Sequence, residues 1–164
     1  MCSSDLGLFL IGGPSVHHNW SDAETARHVA TIVRRETARH WRLTTSRRTP
    51  PSFLPAIRSI DRLEICPVEE TDPGWVRREL ATAGQVWVTE DSVSMVYEAL
   101  TAGAAVGILP VPRRHASRVT TGLDRLVKEN WATPYSTWEQ GTALHAAPEP
   151  LDEATRCARL LRTR

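Results

Sequence analysis

Two serines and one glutamate stand at spacings that suit the binding of a phosphate and a sugar. Ser92 and Ser94 come where a helix is expected to begin, and the free amide N–H groups and positive dipole end of a helix N-terminus favour an anion. Glu98 follows one turn later and, at about 100° per residue, lies within roughly 40° of Ser94. A first turn that holds a diphosphate, with a carboxylate behind it that accepts from ribose hydroxyls, suits a nucleotide. The alternative is a solvated helix with serine caps and a surface glutamate.

The flanking residues predict a strand, a turn, a helix and a second strand around this cluster. A short apolar run before it is typical of a strand buried on both faces. The predicted features are strand Val86–Val88, an N-cap at Asp91 or Ser92, an apolar stripe at Val93, Val96, Tyr97 and Leu100, a left-handed C-cap at Gly103, and strand Val106–Leu109, which Pro110 ends.

A glycine-rich turn follows the first predicted strand, Leu8–Ile11. Gly12 and Gly13 let the backbone approach a ligand closely, and Ser15 adds a hydroxyl. Open α/β sheets bind ligands at this end of their strands, although the turn lacks the dinucleotide fingerprint G-x-G-x-x-G. His17 is a further candidate for ligand contact. A metal site at His17 is rejected, because no further ligands with suitable spacing are found.

An arginine pair follows the next predicted strand, Trp41–Thr45. Arg47 and Arg48 come just before a helix that we expect to begin with Thr49 as N-cap and Pro50 at the first helical position. Such a pair could clamp a phosphate through bidentate hydrogen bonds. A solvent-exposed pair with no ligand is the alternative.

Strand and helix patterns alternate at least four times along the chain. The remaining predicted elements are a helix from the capping box Ser21–Glu24 to near His40, strand Leu63–Cys66, a loop over 67–73, helix Trp75–Ala83, helix Ser117–Glu129, an irregular segment over Trp131–Gly141 and a last helix from Leu151. Within the irregular segment, Trp138 either stacks on a ligand ring or anchors the loop. The alternation predicts an α/β fold, a three-layer Rossmann-like parallel sheet with helices on both faces.

Composition limits the classes of partner. The chain has 164 residues and a net charge of +1, so it offers no field for nucleic acid, and no stretch is long enough to span a bilayer. Three scattered cysteines suit a reducing, cytoplasmic compartment, with peripheral attachment to a membrane left open. Arginine is strongly preferred over lysine, which indicates a bacterial, GC-rich genome. We expect residues 1–6 to be a non-native leader and residues 7–164 to be one domain, a fragment of a longer protein.

Four segments occur in an order that resembles a known family. They are Ile11–Ser15, Leu43–Pro50, Val88–Met95 and Leu151–Glu153. Together they resemble the C-terminal half of the mitochondrial-fission "elongated mitochondria" family, which is known in plants and widespread in bacteria. The resemblance implies one half of a GT-B glycosyltransferase-like fold that binds a nucleotide-diphosphate sugar. It places Gly12, Gly13 and Ser15 beside the diphosphate, Ser92 and Ser94 on phosphate, and Glu98 on the ribose. We expect no cofactor, and no metal is required, because the helix dipole and arginine donors would neutralise the phosphates.

The chain departs from the family pattern at two positions. Val16 stands where a lysine or a similar polar residue often follows the glycine turn, so one phosphate contact is expected to be absent. Glu90 replaces a small residue, and its carboxylate is expected to weaken anion binding. The resemblance also implies that an N-terminal half-domain with the acceptor site is missing, so this chain alone should lack transferase activity. Its catalytic residues are unknown.

Three functional hypotheses remain open at this point. The first is the nucleotide-sugar-binding half of a glycosyltransferase-like protein. The second is a non-catalytic interaction or scaffold protein that keeps the fold. The third, an epimerase-like enzyme, is disfavoured because the chain lacks both the dinucleotide fingerprint and a Tyr-x-x-x-Lys pair.

Overall fold

A computed structural model describes residues 5–148 and residue 151 of the chain. Within that part, six parallel strands form one sheet in the order β3-β2-β1-β4-β5-β6. Their bounds are β1 Leu6–Leu10, β2 His40–Thr44, β3 Leu63–Cys66, β4 Gln85–Thr89, β5 Ala105–Leu109 and β6 Thr133–Pro134. The strand order reverses between β1 and β4, and this switch point is where open α/β sheets leave a crevice for ligands.

Helices cover both faces of the sheet and enclose two apolar cores. The helices are α1 Asp22–Arg35, α2 Phe53–Ile57, α3 Trp75–Thr82, α4 Val93–Thr101, α5 Arg118–Lys128 and α6 Tyr135–Glu139, with a 3-10 turn over Val68–Glu70. One core packs β1 and β4 against α3, α4 and α5, and the other packs the opposite face against α1, α2 and α6. Alternate residues of one strand enter different cores, as with Val86 and Trp87, because strand side chains alternate. The predicted three-layer Rossmann-like fold is confirmed.

The predicted strands agree with the structure to within two residues at their ends, whereas two predicted helix boundaries are wrong. Helix α1 ends at Arg35 instead of near His40, because His40 is already paired with Leu6 as the first residue of β2. Helix α2 begins at Phe53 with Ser52 as N-cap. Thr49 does not cap it, since its hydroxyl donates to the Gly12 carbonyl oxygen at 2.6 Å.

The segment predicted as irregular, Trp131–Gly141, contains β6 and α6. Trp138 is buried and its indole N–H donates to Glu36 Oε1 at 3.1 Å, so it anchors the segment to the body of the domain. The guanidinium of Arg35 lies over its ring, 5.2 Å from the centroid. The anchoring alternative for Trp138 is therefore confirmed, and the ring is not free to stack on a ligand.

Both ends of the sequence reach beyond the part that the structure describes. Leu151 is buried, and the rest of the helix predicted from it lies outside the described residues. Most of the expected leader also lies outside them, while Leu6 is the first residue of β1. Among the helices of residues 5–148, none has the length and apolarity needed to cross a membrane.

Candidate functional site

The carboxyl ends of β1, β2 and β4 meet at the switch point of the sheet. The glycine turn after β1 is tied directly to the turn after β4: the Gly12 N–H donates to Thr89 Oγ1 at 2.8 Å, and the Gly13 N–H donates to Asp91 Oδ2 at 3.0 Å. The turn after β2 joins them through the Thr49 hydroxyl, which donates to the Gly12 carbonyl oxygen. The structure therefore brings together three segments that the sequence placed at separate strand ends.

Asp91 is the centre of this cluster. Its carboxylate is fully buried, and Oδ2 lies 3.0 Å from Arg48 Nη2 and accepts from the Ser92 hydroxyl at 3.1 Å. Oδ1 has no hydrogen-bond partner among the described residues. The sequence identified Asp91 only as a possible N-cap, since no spacing signal revealed that Arg48, more than forty positions earlier, would pair with it.

The two arginines of the predicted pair have different surroundings. Arg48 Nη1 donates to the Gly13 and Pro14 carbonyl oxygens, both at 3.3 Å, and Nη2 donates to Ser92 Oγ at 3.3 Å. Its side chain is 44% exposed, so it is only partly enclosed by these contacts. Arg47 is exposed and lines a separate depression beside Val68 and Asp72. Only Arg48 joins the glycine turn.

The structure explains why glycine occupies positions 12 and 13. A Cβ atom on Gly12 would lie 2.1 Å from Asp91 Oδ2, and a Cβ on Gly13 would lie 2.1 Å from the Arg48 carbonyl oxygen. Both glycines are needed so that the turns after β1, β2 and β4 can pack against one another. Their space is filled by this chain's own atoms, and contact of either glycine with a ligand stays a prediction.

Helix α4 begins at the same edge of the sheet without a side-chain cap. Ser92 is its N-cap residue, but its hydroxyl makes no capping hydrogen bond and is buried beside Arg48 and Asp91. The first amide N–H groups of an α-helix have no partner within the helix. Ser94 in the first turn and Glu98 one turn later are both exposed. The two serines predicted to contact phosphate therefore differ: Ser94 is accessible and Ser92 is not.

Ser94 and Glu98 line a groove between α3 and α4 with a volume of about 1000 Å³. The wall from α4 is formed by Val93, Ser94, Tyr97, Glu98, Thr101 and Ala102, and the wall from α3 by Arg77, Leu80 and Ala81. The glycine turn contributes nothing to this lining within the described residues. The predicted site residues thus fall into two neighbouring sets, the switch-point cluster around Asp91 and this α3–α4 groove.

Glu90 has a different setting from the one expected. Its carboxylate is buried, accepts from the Val111 N–H at 2.8 Å and accepts from Arg113 Nε at 2.9 Å. Arg113 also donates hydrogen bonds from both terminal nitrogens to the Asp124 carboxylate, at 2.8 and 3.0 Å. These hydrogen bonds hold the pKa of the Asp124 carboxyl below its usual range. The negative charge of Glu90 is therefore compensated within the fold. It is not presented to solvent as an extra anion.

Ser15 and His17 organise the loop that follows the glycine turn. Ser15 Oγ accepts from the His17 N–H at 3.2 Å and lies 3.1 Å from His18 Nδ1. His17 Nδ1 lies 3.3 Å from Nε2 of His115, so this loop meets the loop after β5. His18 is buried beside Glu90, and burial lowers its pKa. Among residues 5–148 and 151, no group of three potential metal ligands comes together.

Comparison with known proteins identifies the family of the chain. Residues 1–164 match the family model described as "Mitochondrial fission ELM1", and the chain belongs to that family, as the resemblance indicated. No curated protein matches the sequence. Among solved structures, the chain is similar to the "Crystal structure of AnUbiX (PadA1) in complex with FMN and dimethylallyl pyrophosphate". The TM-score is 0.48 at 11% sequence identity, covering 79% of this chain and 76% of that one.

Proposed function

We propose that this chain is the nucleotide-diphosphate-sugar-binding half of a GT-B-like glycosyltransferase, which acts only together with a second half-domain that holds the acceptor. The observation that carries the proposal is the uncapped N-terminus of α4 at the switch point of the sheet. Unpaired amides and the positive dipole end at that position favour a phosphate group. The family to which the chain belongs supports the same assignment.

Each exposed group near this helix end has a role in the proposal. The diphosphate binds the first amides of α4 and the Ser94 hydroxyl. The Arg48 guanidinium borders this position beside Ser92, and Asp91 balances its charge. Glu98 lies four residues, about 6 Å along the helix axis, beyond Ser94, and its carboxylate accepts from the two ribose hydroxyls. The amides and the positive dipole end of α4 supply the attraction for the phosphates, so the proposal needs no metal ion.

Calorimetric titration of the purified chain with UDP, GDP and their sugar conjugates tests this function. Glu98→Gln should weaken nucleotide binding about tenfold or more, because hydrogen bonds to a charged acceptor contribute about 1.5–3 kcal/mol. Glu139→Gln is the matched control, since Glu139 is exposed on α6 at the opposite face of the sheet. Absence of heat at millimolar nucleotide, or equal affinity of the Glu98→Gln variant and the parent chain, would contradict the proposal.

A non-catalytic interaction protein is the second candidate function. Two observations favour it, and the first is that the terminal nitrogens of Arg48 are already used by acceptors of this chain, Asp91 among them. Val16, 79% exposed beside the turn, offers an apolar contact for a protein partner. A pull-down that recovers a stable partner with the parent chain and loses it with Val16→Ser, while calorimetry detects no nucleotide, would favour this candidate over the first.

A further inference from the structure

The α3–α4 groove is continuous with the proposed phosphate site. Val93 and Ser94, the first two residues of α4, line its upper end, and Thr101, the last residue of α4, lines its lower end. At 1.5 Å per residue, the groove extends about 10 Å along the helix from Ser94 to Thr101. Its volume, about 1000 Å³, is at the upper end of the range of small-molecule pockets.

One stripe of α4 faces the groove, and it combines polar groups with one aromatic ring. Ser94, Tyr97, Glu98 and Thr101 stand at positions i, i+3, i+4 and i+7, which lie on one side of a helix. Tyr97 is half-buried and packs against the core formed by α3, α4 and α5. Its ring is therefore held in place and can receive a planar ligand with little loss of side-chain freedom.

The opposite wall of the groove carries a single cation. Arg77 of α3 is exposed, and no hydrogen bond or ion pair engages its guanidinium within the described part of the chain. Its neighbours on the same side of α3, Leu80 and Ala81, are apolar. The groove thus presents apolar side chains from α3, one aromatic ring and polar groups from α4, and one unengaged set of hydrogen-bond donors on Arg77.

We infer that this groove holds the nucleobase of the ligand, with the base against Tyr97 and a carbonyl oxygen of the base accepting from Arg77. The inference rests on the proposed function, in which Glu98 binds the ribose. A base is joined directly to that ribose, and the groove that Glu98 lines is the space beside it. Arginine donates and cannot accept, so bases with carbonyl groups, uracil and guanine, are favoured over adenine.

Calorimetry with UDP, GDP, ADP and inorganic pyrophosphate tests the inference on the parent chain and on three variants. Tyr97→Leu keeps an apolar side chain and removes the ring, and Ala81→Trp fills the groove from an exposed position of α3. Arg77→Met removes the cation and its hydrogen-bond donors, with Arg58→Met at the end of α2 as the matched control on the other face of the sheet. Thermal unfolding of each variant verifies that it is folded.

Tyr97→Leu and Ala81→Trp should each weaken UDP and GDP about tenfold, the size of effect that loss of base–aromatic stacking produces, and leave pyrophosphate unchanged. Arg77→Met should abolish the preference for UDP and GDP over ADP, whereas Arg58→Met should keep it. Nucleotide binding that depends on Glu98 but is the same in the Tyr97 and Ala81 variants would overturn the inference and leave the proposed function intact. Failure of the parent chain to bind any nucleotide or pyrophosphate would refute both.

Discussion

Substitution of Gly13 is the most direct test of how the switch-point cluster is assembled. The Gly13 amide donates to the buried carboxylate of Asp91, while its Cα faces the backbone of Arg48. In Gly13→Ala the new methyl group would lie 2.1 Å from the Arg48 carbonyl oxygen and 2.5 Å from its carbonyl carbon. Neither atom belongs to a flexible side chain, so the turns after β1 and β2 must move apart.

The expected loss of unfolding free energy depends on the contacts that this movement breaks. Forced overpacking of a close-packed site costs about 1–3 kcal/mol. Here the displaced backbone also carries the bond from the Thr49 hydroxyl to the Gly12 carbonyl oxygen, so we expect a value near the upper limit, about 3 kcal/mol. For a domain of this size such a change lowers the melting temperature by about 6–12 °C. Denaturant unfolding measures the free energy and thermal unfolding measures the melting temperature, both followed by circular dichroism.

Gly122→Ala is the matched control, because the same chemical change occurs where there is room for it. Gly122 lies inside α5, and a Cβ there would meet no atom within 4 Å. Alanine should stabilise that helix by about 0.5–1 kcal/mol, since it loses less backbone entropy than glycine. Equal unfolding free energies for the Gly13→Ala variant and the parent chain would refute the packing argument, and so would destabilisation by Gly122→Ala.

Two further predictions concern buried charge. Burial lowers the pKa of His18 and of His28 below the ordinary value of 6.5. The unfolded chain therefore binds more protons than the folded chain as the pH falls through that value. The unfolding free energy should decrease from pH 7 to pH 5. His28→Phe, which keeps a ring beside Tyr135, should make that decrease shallower in denaturant titrations, and an unchanged pH profile would contradict it. Arg113→Gln should cost about 2 kcal/mol, allowing for solvent at the partly exposed guanidinium, because Glu90 stays buried without its charge partner. The same variant should raise the pKa of Asp124 in an NMR titration, and a pKa that stays low would show that Arg113 does not cause the shift.

Local patterns were sufficient to predict β1 to β5 and most of the helices that cover the sheet, whereas β6 and α6 were missed. Apolar runs such as Val86–Val88 and Leu63–Cys66 correspond to strands, and the capping residues Ser21 and Ser117 begin α1 and α5. Gly103 adopts a φ of 86°, the left-handed conformation expected for it. These features depend on residues close in sequence, which is why periodicity and capping chemistry identify them.

The hydrogen bonds and ion pairs at the switch point join residues that are far apart in sequence, and no local pattern predicts them. Thr49 looked like a helix cap because Pro50 follows it, yet its hydroxyl holds the Gly12 carbonyl. Glu90 looked like an uncompensated charge because Arg113, its partner, comes from the loop after β5. The sequence was sufficient to predict the spacing of Ser94 and Glu98 along α4. The groove that they share with Arg77 depends on how α3 packs against α4, and the sequence did not predict it.

The pairing of Arg48 with Asp91 decides how an anion can be attracted to this edge of the sheet. The two charges lie 3.0 Å apart and largely cancel, so the guanidinium by itself provides little net attraction. The donors that remain uncompensated are the first amides of α4, which no side chain caps. The helix fixes the direction of these amides, so they bind a phosphate group only where its oxygen atoms reach the helix end. In the proposed function, Asp91 therefore serves to hold Arg48 and the Gly13 turn in place, while the helix end supplies the electrostatic attraction for the phosphates.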